Sequence, residues 1–566
     1  MHAHSGGKTR SFKIIGLVAA ALVVIALIVL AVVSFSNPNI TVPGDYRTIQ
    51  AAIDVAEDGD VIIVEPGVYY ERINFLGKNI TVRSTDPEDP EVVANTVIDG
   101  RKRDSVVSFQ NGESEGAVLK GFTIAGGVGT RETIIYEHEE GEIVHEGHFG
   151  GGIFIAGGSS PTITNNVIKN NHVDLDGGGI AVLNFSNPVI RNNIIEDNTS
   201  LNGAGITVWS SSPIIEDNTF RQNRAMYLGA AISVDFESSP SISGNEIINN
   251  SATSGGGIAI WQSDPMITAN TLRRNSAIWR GGGILVSDAS PTIDGNDISR
   301  NSSKNFGGGI AVSEGASPVI SNNQINNNYT EEFGGGIAVV EGSQPVITDN
   351  IISDNAVIFG GGGIYVDESS PTITNNNIYK NLVQQDGGGI ALLNGSNSSI
   401  TANIIDDNLA GRAGGGLVID GGSVAALEDN TISGNSAATG GGLIVKQSTV
   451  TLERNMINDN TAGETSGGGI FLVLNAVAEI RNNTFSGNIA FEFGGGLVAY
   501  EGSVVTLISN DFIGNEAAMG GAYIGFGDAS IDTDDPDSNT YSGNIPEDIE
   551  AEDNQEEEET EENEDD

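Results

Sequence analysis

The sequence of 566 residues contains no cysteine, which excludes disulfide bonds and thiolate metal sites. Basic residues are few, since 26 lysines and arginines stand against 75 aspartates and glutamates and give a formal net charge of -49. This imbalance disfavours nucleic acid as a partner and leaves cations or neutral glycans as candidate ligands. The same acidity would equally serve to keep a long β-protein soluble.

A tandem repeat occupies most of the chain. A glycine-rich segment such as 177–179 is followed by an aliphatic residue such as Ile180, and each complete unit then carries two asparagines, first Asn166 and Asn171. The residues that align with Ile180 recur every 26 or 27 positions: Ile153, Ile180, Ile206, Ile232, Ile258, Ile284, Ile310, Ile337, Ile364, Ile390, Leu417, Leu443, Ile470, Leu497 and Tyr523. A fixed period of this length predicts a solenoid, in which each unit completes its core against its neighbours.

The repeat units have the composition of β-strands. Apolar residues alternate, with Ile180 and Val182 predicted to point inward and Ala181 and Leu183 outward, and the segments between turns are rich in Ile, Val and Thr. We therefore predict about three strands per coil, each pairing with its copy in the next coil at roughly 4.8 Å. The repeated asparagines are expected at left-handed turn positions, with their amides hydrogen-bonded along the axis. The predicted fold class is all-β, a single-stranded parallel β-helix.

The N-terminus carries the one long apolar run. Three basic residues precede this run, residues 14–35, which is long enough to span a bilayer. We predict a transmembrane signal anchor with residues 1–13 in the cytoplasm, because basic flanks stay inside. Cleavage after a small residue such as Ala31 is the alternative. The bulk of the chain is expected to be extracytoplasmic in either case.

The remaining chain divides into a solenoid domain and a tail. Residues 48–56 carry an apolar stripe that predicts a short helix capping the start of the β-helix domain, residues 45–546. Residues 547–566 hold fourteen acids and no base, which predicts a disordered, solvated tail.

Two sets of motifs resemble known families. The entry sequence Thr-Ile-Gln-Ala-Ala-Ile-Asp at 48–54, followed by Gly-Asp, Pro-Gly-Val-Tyr and Gly-Lys-Asn-Ile-Thr-Val, is similar to the start of right-handed β-helix proteins of the pectate-lyase superfamily. The Gly-Gly-Gly-Ile and Phe-x-x-Asn copies, the latter at 485–488 for example, resemble repeats of chlamydial polymorphic outer membrane proteins, which are surface adhesins. These resemblances cover residues 48–530 and imply a right-handed β-helix. They imply no single activity, because the superfamily includes lyases, hydrolases, epimerases and non-catalytic binders.

An acidic insertion at residues 129–148 interrupts the repeat. His145 in the insertion and His172 in the next unit lie equally far ahead of their aliphatic residues, so they are expected to stack on neighbouring coils beside Asp174 and Asp176. Such groups could supply general acid and base catalysis or ligate a divalent ion. The alternative is a polar loop without a site.

A column of carboxylates is a second candidate. Each of four acids follows its aliphatic residue by four positions on consecutive coils: Asp288, Glu314, Glu341 and Glu368. Like charges roughly 5 Å apart repel by about 1–3 kcal/mol, so the column could bind a cation such as Ca²⁺. The side chains could instead fan out into water.

Tryptophans form a third candidate, for carbohydrate. Trp209 and Trp261 share an outward position two coils apart, and therefore roughly 10 Å apart, with Asp235 between them. Trp279 in the following turn could extend the surface. Exposed rings beside a carboxylate suit stacking on sugar faces, although outward aromatic residues also serve as cross-strand packing.

These features predict a membrane-anchored, extracytoplasmic β-helix protein that acts as a surface binding or adhesion module for polysaccharide, with Ca²⁺ as the only candidate cofactor. One alternative is a polysaccharide lyase or glycoside hydrolase that uses the histidines and aspartates near the insertion. Against a lyase, Arg280 and Arg412, the turn arginines near the glycine runs, have no evident aspartate cluster beside them. The other alternative is a stiff spacer without a ligand.

Overall fold

The computed structural model describes residues 39–138, 141–533 and 538–546. Within these residues the repeat region forms one single-stranded parallel β-solenoid, which confirms the predicted fold class. Neighbouring coils pair in register, so that Ile180 lies beside Ile206 and Val182 beside Val208. The alignment of the glycine runs in the sequence is therefore also an alignment in space.

Each coil passes through three sheets and, in twelve coils, a fourth. A representative coil consists of Ile180–Val182 in sheet 1, Val189–Arg191 in sheet 2, Ile194–Glu196 in sheet 3 and Thr199–Asn202 in sheet 4. The prediction of about three strands per coil therefore missed sheet 4. Many strands of sheet 4 are only two residues long, too short for periodicity to reveal.

Sheets 1 and 4 carry the side chains of the candidate site, and sheets 2 and 3 form the other faces of the solenoid. Among the described residues, sheet 2 has 19 strands, from Ile40–Val42 to Ser530–Asp532, and sheet 3 has 18, from Gly67–Tyr69 to Thr540–Ser542. Sheet 1 has 17 strands: Ile73–Asn74, Val107–Phe109, Ile153–Ile155, Ile180–Val182, Ile206–Trp209, Ile232–Asp235, Ile258–Trp261, Ile284–Ser287, Ile310–Ser313, Ile337–Val339, Ile364–Asp367, Ile390–Leu393, Leu417–Ile419, Leu443–Lys446, Ile470–Val473, Leu497–Ala499 and Tyr523–Gly525. Sheet 4 has twelve: Thr199–Asn202, Arg224–Leu228, Ser251–Ser254, Ser276–Arg280, Ser302–Ser303, Tyr329–Thr330, Ala356–Val357, Leu382–Val383, Leu409–Ala410, Ser436–Ala437, Thr461–Ala462 and Ile489–Ala490.

The core is a continuous column of aliphatic side chains inside the solenoid. Ile180, Val182, Ile190 and Ile195 of one coil are all fully buried, and their equivalents in the other coils join the same cluster. Burying such a side chain contributes about 1.5–3 kcal/mol, which is why one small unit cannot fold alone and a stack of them can.

Two buried asparagine ladders hold the turns together. The Nδ2 atom of Asn166 donates to Oδ1 of Asn193, and that of Asn171 donates to Oδ1 of Asn198, both at 3.1 Å, which confirms the predicted stacking of amides. The expectation of left-handed backbone at these asparagines was wrong by one position. The left-handed residue is the one before each ladder asparagine, such as Asn165 with φ 56°. The ladder side chain can therefore point inward while its predecessor turns the chain.

A short helix closes the N-terminal end of the solenoid. Helix α1, Ile49–Val55, buries Ile49, Ala52 and Ile53, as predicted for a cap. Both carboxylate oxygens of Glu71 accept hydrogen bonds from the first amides of this helix, at 3.0 Å each. A second helix, α2, spans Pro90–Asn95.

The predicted membrane anchor, residues 14–35, and the acidic tail, residues 547–566, lie outside the described residues. In the part of the chain that the structure describes, no helix is long and apolar enough to cross a membrane.

Candidate functional site

The insertion folds as an antiparallel hairpin on the outer face of sheet 1. Its strands, Thr130–His138 and Gly141–Phe149, pair so that Ile134 lies opposite His145. Ile134 is buried in a small apolar cluster with Phe154 and Trp209, outside the main core. The hairpin therefore covers the outward side chains of several coils.

The predicted stacking of His145 on His172 is wrong. His145 lies in the hairpin and not in a coil of the solenoid, so His172 does not stack on it. The backbone amide of His172 donates to the carbonyl of Gly127 at 3.0 Å. The Nδ1 atom of His172 lies 2.7 Å from the Thr199 hydroxyl. His145 packs against Trp209 with 5.4 Å between ring centroids, and burial lowers the pKa of this histidine.

Hydrogen bonds between His148 and Asp174 fasten the base of the hairpin. Nδ1 of His148 lies 3.0 Å from Oδ1 of Asp174, and the backbone amide of His148 donates to the same oxygen at 3.1 Å. Partial burial opposes the ionisation of Asp174, but the hydrogen bonds from His148 prevail and lower the pKa of this carboxyl. Asp174 thus holds the hairpin on the coil below it.

Two further carboxyl groups are buried in this region. Burial raises the pKa of Asp176 to about 7, although the Asn202 amide donates to it at 2.9 Å. Burial raises the pKa of Asp235 to about 8, against a 2.8 Å hydrogen bond from the Ser233 hydroxyl, and the charge of Asp176 adds to this effect. Both groups can therefore hold a proton near neutral pH.

The predicted row of exposed tryptophans is only partly correct. Trp209 is 5% exposed, because Phe236 lies against it at 4.4 Å and the hairpin covers it. Asp235 is buried as well, so neither residue can meet a sugar while the hairpin is in place. Trp261 is partly exposed and packs edge-on against Phe236 at 4.5 Å. The open surface begins at this tryptophan.

A groove of about 430 Å³ lies next to Trp261 on the outer face of sheet 1. Sheet 4 provides one wall, and the ends of the sheet 1 strands provide the other. Residues that line the groove include Leu228, Trp261, Trp279, Arg280, Leu285 and Glu314. An apolar and aromatic lining with a few polar groups is typical of a small-molecule or sugar site.

Two longer strands of sheet 4 carry the rim of the groove. Arg224–Leu228 and Ser276–Arg280 have five residues, whereas the strand between them has four, and the pairing shifts register at both junctions. Tyr227 is 52% exposed and Trp279 is 49% exposed in these strands. They lie two coils apart, which is roughly 10 Å. The sequence analysis did not single out Tyr227. The equivalent position of a later coil holds Glu332, so the aromatic residue at 227 could have been recognised as a departure from the repeat.

Arg280 is fixed by an acid from two coils further along. Its terminal nitrogens donate to both oxygens of Glu341 at 2.8 and 2.5 Å, and its guanidinium carbon lies 5.4 Å from the centre of the Phe306 ring. The hydrogen bonds from Arg280 lower the pKa of Glu341. Such a bidentate pair sets the orientation of the guanidinium.

Two polar atoms at the groove are left without a partner among the described residues. They are Nε of Arg280 and the hydroxyl of Ser313, a residue that is 1% exposed and lines the groove. An unsatisfied buried polar atom costs free energy, so such atoms mark positions where a ligand or water can bind.

The carboxylate column does not gather into a cation site. Each of its four residues has a left-handed backbone, and the carboxylates accept from separate neighbours: Asp288 from Gln262 at 2.8 Å, Glu314 from Ser287 at 2.6 Å and Glu341 from Arg280. No three histidines, aspartates or glutamates in the described ranges are grouped to hold a metal ion. The Ca²⁺ prediction, which includes Glu368, therefore has no ligand cluster to support it.

Comparisons with known proteins bear on the fold. The family model for the right handed β-helix region matches residues 105–277, 267–382, 357–513 and 415–550. No curated protein has a matching sequence. Among solved structures, a PL6 family alginate lyase, AlyGC, is 12% identical over 89% of this chain and 99% of its own, with a TM-score of 0.25. The A-module of a mannuronan C-5 epimerase from Azotobacter vinelandii is 12% identical over 88% and 93%, with a TM-score of 0.15. Similarities this distant say nothing about the ligand of the present chain.

Proposed function

The chain belongs to the right-handed β-helix family, and we propose that it is a carbohydrate-binding member whose ligand lies in the groove beside Trp261 and Trp279. The observation that carries the proposal is the combination of these rings with two unpartnered polar atoms, on Arg280 and Ser313, in one groove. Sugars present apolar faces to aromatic rings and hydroxyls to fixed polar groups, and this lining offers both.

The rim supports a ligand that spans several coils. Tyr227 and Trp279 follow each other along the solenoid axis at roughly 10 Å, a spacing comparable to a disaccharide. A glycan that stacks on both rings would run parallel to the axis. Its middle would pass over the coil between the two rings, whose Ser254 and Ala259 line the groove.

Glycan binding can be tested directly with a panel of immobilised polysaccharides. We expect Trp279→Ala and Tyr227→Ala each to weaken retention at least tenfold, because each removes a stacking surface of about 1.4 kcal/mol or more. Tyr329→Ala is the matched control, since Tyr329 is a half-exposed aromatic residue in sheet 4 that lies two coils beyond the strand of Trp279 and so outside the path between Tyr227 and Trp279. Equal retention by all three variants and the unmodified protein would exclude the groove as the site.

We also propose that residues 14–35 anchor the protein and that the solenoid acts as a surface adhesion module outside the cell. The support is the basic segment before a bilayer-length apolar run. Protease treatment of intact cells should remove the solenoid, and detergent should be needed to extract the intact chain. Recovery of the intact protein in the soluble fraction of lysed cells would contradict the anchor.

Polysaccharide cleavage is a second candidate function. It would use the buried Asp176 and Asp235 only after the hairpin opens, because the closed hairpin keeps a sugar away from Asp235. Acids that stay protonated near neutral pH are suited to general acid catalysis. Incubation with glycans that the protein retains should then release unsaturated or reducing ends, and Asp235→Asn should abolish the release. Retention without any new ends would leave binding as the function.

A further inference from the structure

We infer that the groove is selective for glycans without acidic groups and discriminates against uronate and sulfated polymers. The inference rests on the proposed function, because it assigns a substrate class to the same groove. Three observations carry it: the state of Arg280, the acids beside the groove, and the chemistry of the unpartnered atoms.

Arg280 is the one cation among the described residues that line the groove, and it is already neutralised. Its two terminal nitrogens are both engaged by the carboxylate of Glu341, and only 17% of the arginine side chain is exposed. A ligand carboxylate could form a fork of two hydrogen bonds with this guanidinium only by displacing Glu341. Recognition of an acidic sugar in the usual bidentate way is therefore blocked by the protein itself.

One acid lines the groove, and other acids lie in the same turn of nearby coils. Glu314 lines the groove, Asp288 and Glu341 occupy the same turn of the two adjacent coils, and Glu368 lies one coil further along. A further carboxylate placed about 5 Å from one of these groups would be repelled by an amount of the order of a tenfold loss in affinity. The net charge of the whole chain, -49, adds repulsion at longer range.

The unpartnered atoms suit neutral hydroxyl groups. The Ser313 hydroxyl can both donate and accept, and Nε of Arg280 can donate to a sugar oxygen while the terminal nitrogens remain on Glu341. Leu285 and the tryptophans supply apolar surface around these two atoms. A neutral sugar satisfies this set without adding a charge.

The test uses pairs of polymers that differ only in charge. Highly methyl-esterified homogalacturonan is compared with its de-esterified form, and each acidic polysaccharide of a panel is compared with its carboxyl-reduced form. We expect the neutral polymer of a pair to bind at least tenfold more tightly than the acidic one. Trp279→Ala should abolish this binding. Residual binding of the acidic member should strengthen as salt is raised from 50 to 500 mM, because salt screens the repulsion.

A variant in the ion pair separates selectivity from stability. Glu341→Gln releases Arg280 and should narrow the difference in affinity between the neutral and the acidic polymer of a pair. Glu368→Gln changes an acid of the same column that does not contact Arg280, and it should leave this difference in affinity unchanged. Trp279-dependent binding of the acidic member at equal or higher affinity, weakening with salt, would overturn the inference and leave carbohydrate binding intact. Absence of Trp279-dependent binding to every polymer would instead remove the proposed function, and the inference with it.

Discussion

The buried aspartates under the hairpin should make the local stability of this region depend on pH. The pKa of Asp176 is raised to about 7 and that of Asp235 to about 8 in the folded chain, from 3.8 in the absence of burial. The folded state therefore holds these protons more tightly than an opened state does. Stability from this source is complete below pH 4, falls as pH rises toward 7 and 8, and stays low above that range.

The size of the effect follows from the pKa values. One pKa unit corresponds to about 1.4 kcal/mol, so raising the pH from 5.5 to 8.5 should cost about 2 kcal/mol through Asp176 or about 3 kcal/mol through Asp235. Because hairpin opening admits water to these groups, the opening constant should rise by roughly 30-fold through Asp176 or 300-fold through Asp235. Asp235→Asn removes the charge of Asp235 and should leave only the roughly 30-fold rise that Asp176 causes.

Hydrogen exchange of the amides in residues 130–149 measures the opening. Unmodified protein and Asp235→Asn are compared at the same pH, which removes the intrinsic pH dependence of exchange. We expect similar protection at pH 5.5 and clearly higher protection of the variant at pH 8.5. Asp174→Asn is a control that should change amide protection in the opposite direction. It removes the partner of His148, so protection should be weaker than in the unmodified protein already at pH 5.5. Equal exchange by the unmodified protein and Asp235→Asn at both pH values would refute the buried charge of Asp235 as a cause of the opening.

Three further predictions concern the scaffold. Asn328→Ala should destabilise its coils by several kcal/mol, because it removes the buried side-chain hydrogen bonds of Asn328 to the Ile298 carbonyl and to the ladder neighbours Asn301 and Asn355. Asn326→Ala should change thermal stability by no more than about 0.5 kcal/mol. Gly307→Ala should lower the melting temperature more than Gly308→Ala does. Gly307 has φ 63°, and its added Cβ would meet the Ile310 carbonyl at 2.2 Å. A Cβ at Gly308 would meet the Gly335 and Tyr329 carbonyls at 2.6 Å, but Gly308 has no left-handed backbone, and Ala204 and Ala230 occupy its position in other coils. Trp209→Ala should expose the hairpin to limited proteolysis, whereas the rim variant Trp279→Ala should not, because only the first ring lies beneath the hairpin.

The solenoid could be predicted from the sequence because its determinants are local and repeated. Ile180 and Val182 point inward for the same reason as their copies in every other coil, so one correct assignment of strand periodicity settles them all. The capping helix was equally visible, since its apolar stripe lies within residues 48–56. Where a determinant recurs at fixed spacing, the sequence is enough to predict the contact.

The candidate site could be predicted only in part because its contacts are neither local nor repeated. Trp261 and Trp279 were visible as aromatic residues at outward positions. The burial of Trp209 depends on how the hairpin folds back, and an insertion has no partner coil from which its register can be deduced. The pairing of Arg280 with Glu341 joins residues 61 positions apart, more than two repeats, so coil-to-coil alignment does not place them together.

The groove shows how a uniform solenoid can acquire one specific surface. Along its wall Leu228, Ser254, Arg280 and Phe306 succeed one another in register, four different side chains at one outward position. The first inward position of the sheet 1 strands in these coils is always isoleucine, from Ile232 to Ile310. The outward side chains can therefore vary without changing the packing of the core. Because Glu341 reaches back to Arg280, the site needs the coils between them in the right number. Deleting the single coil 311–337 should therefore preserve the fold but break this ion pair. The selectivity of the groove thus depends on the number of coils between Arg280 and Glu341 as well as on the residues themselves.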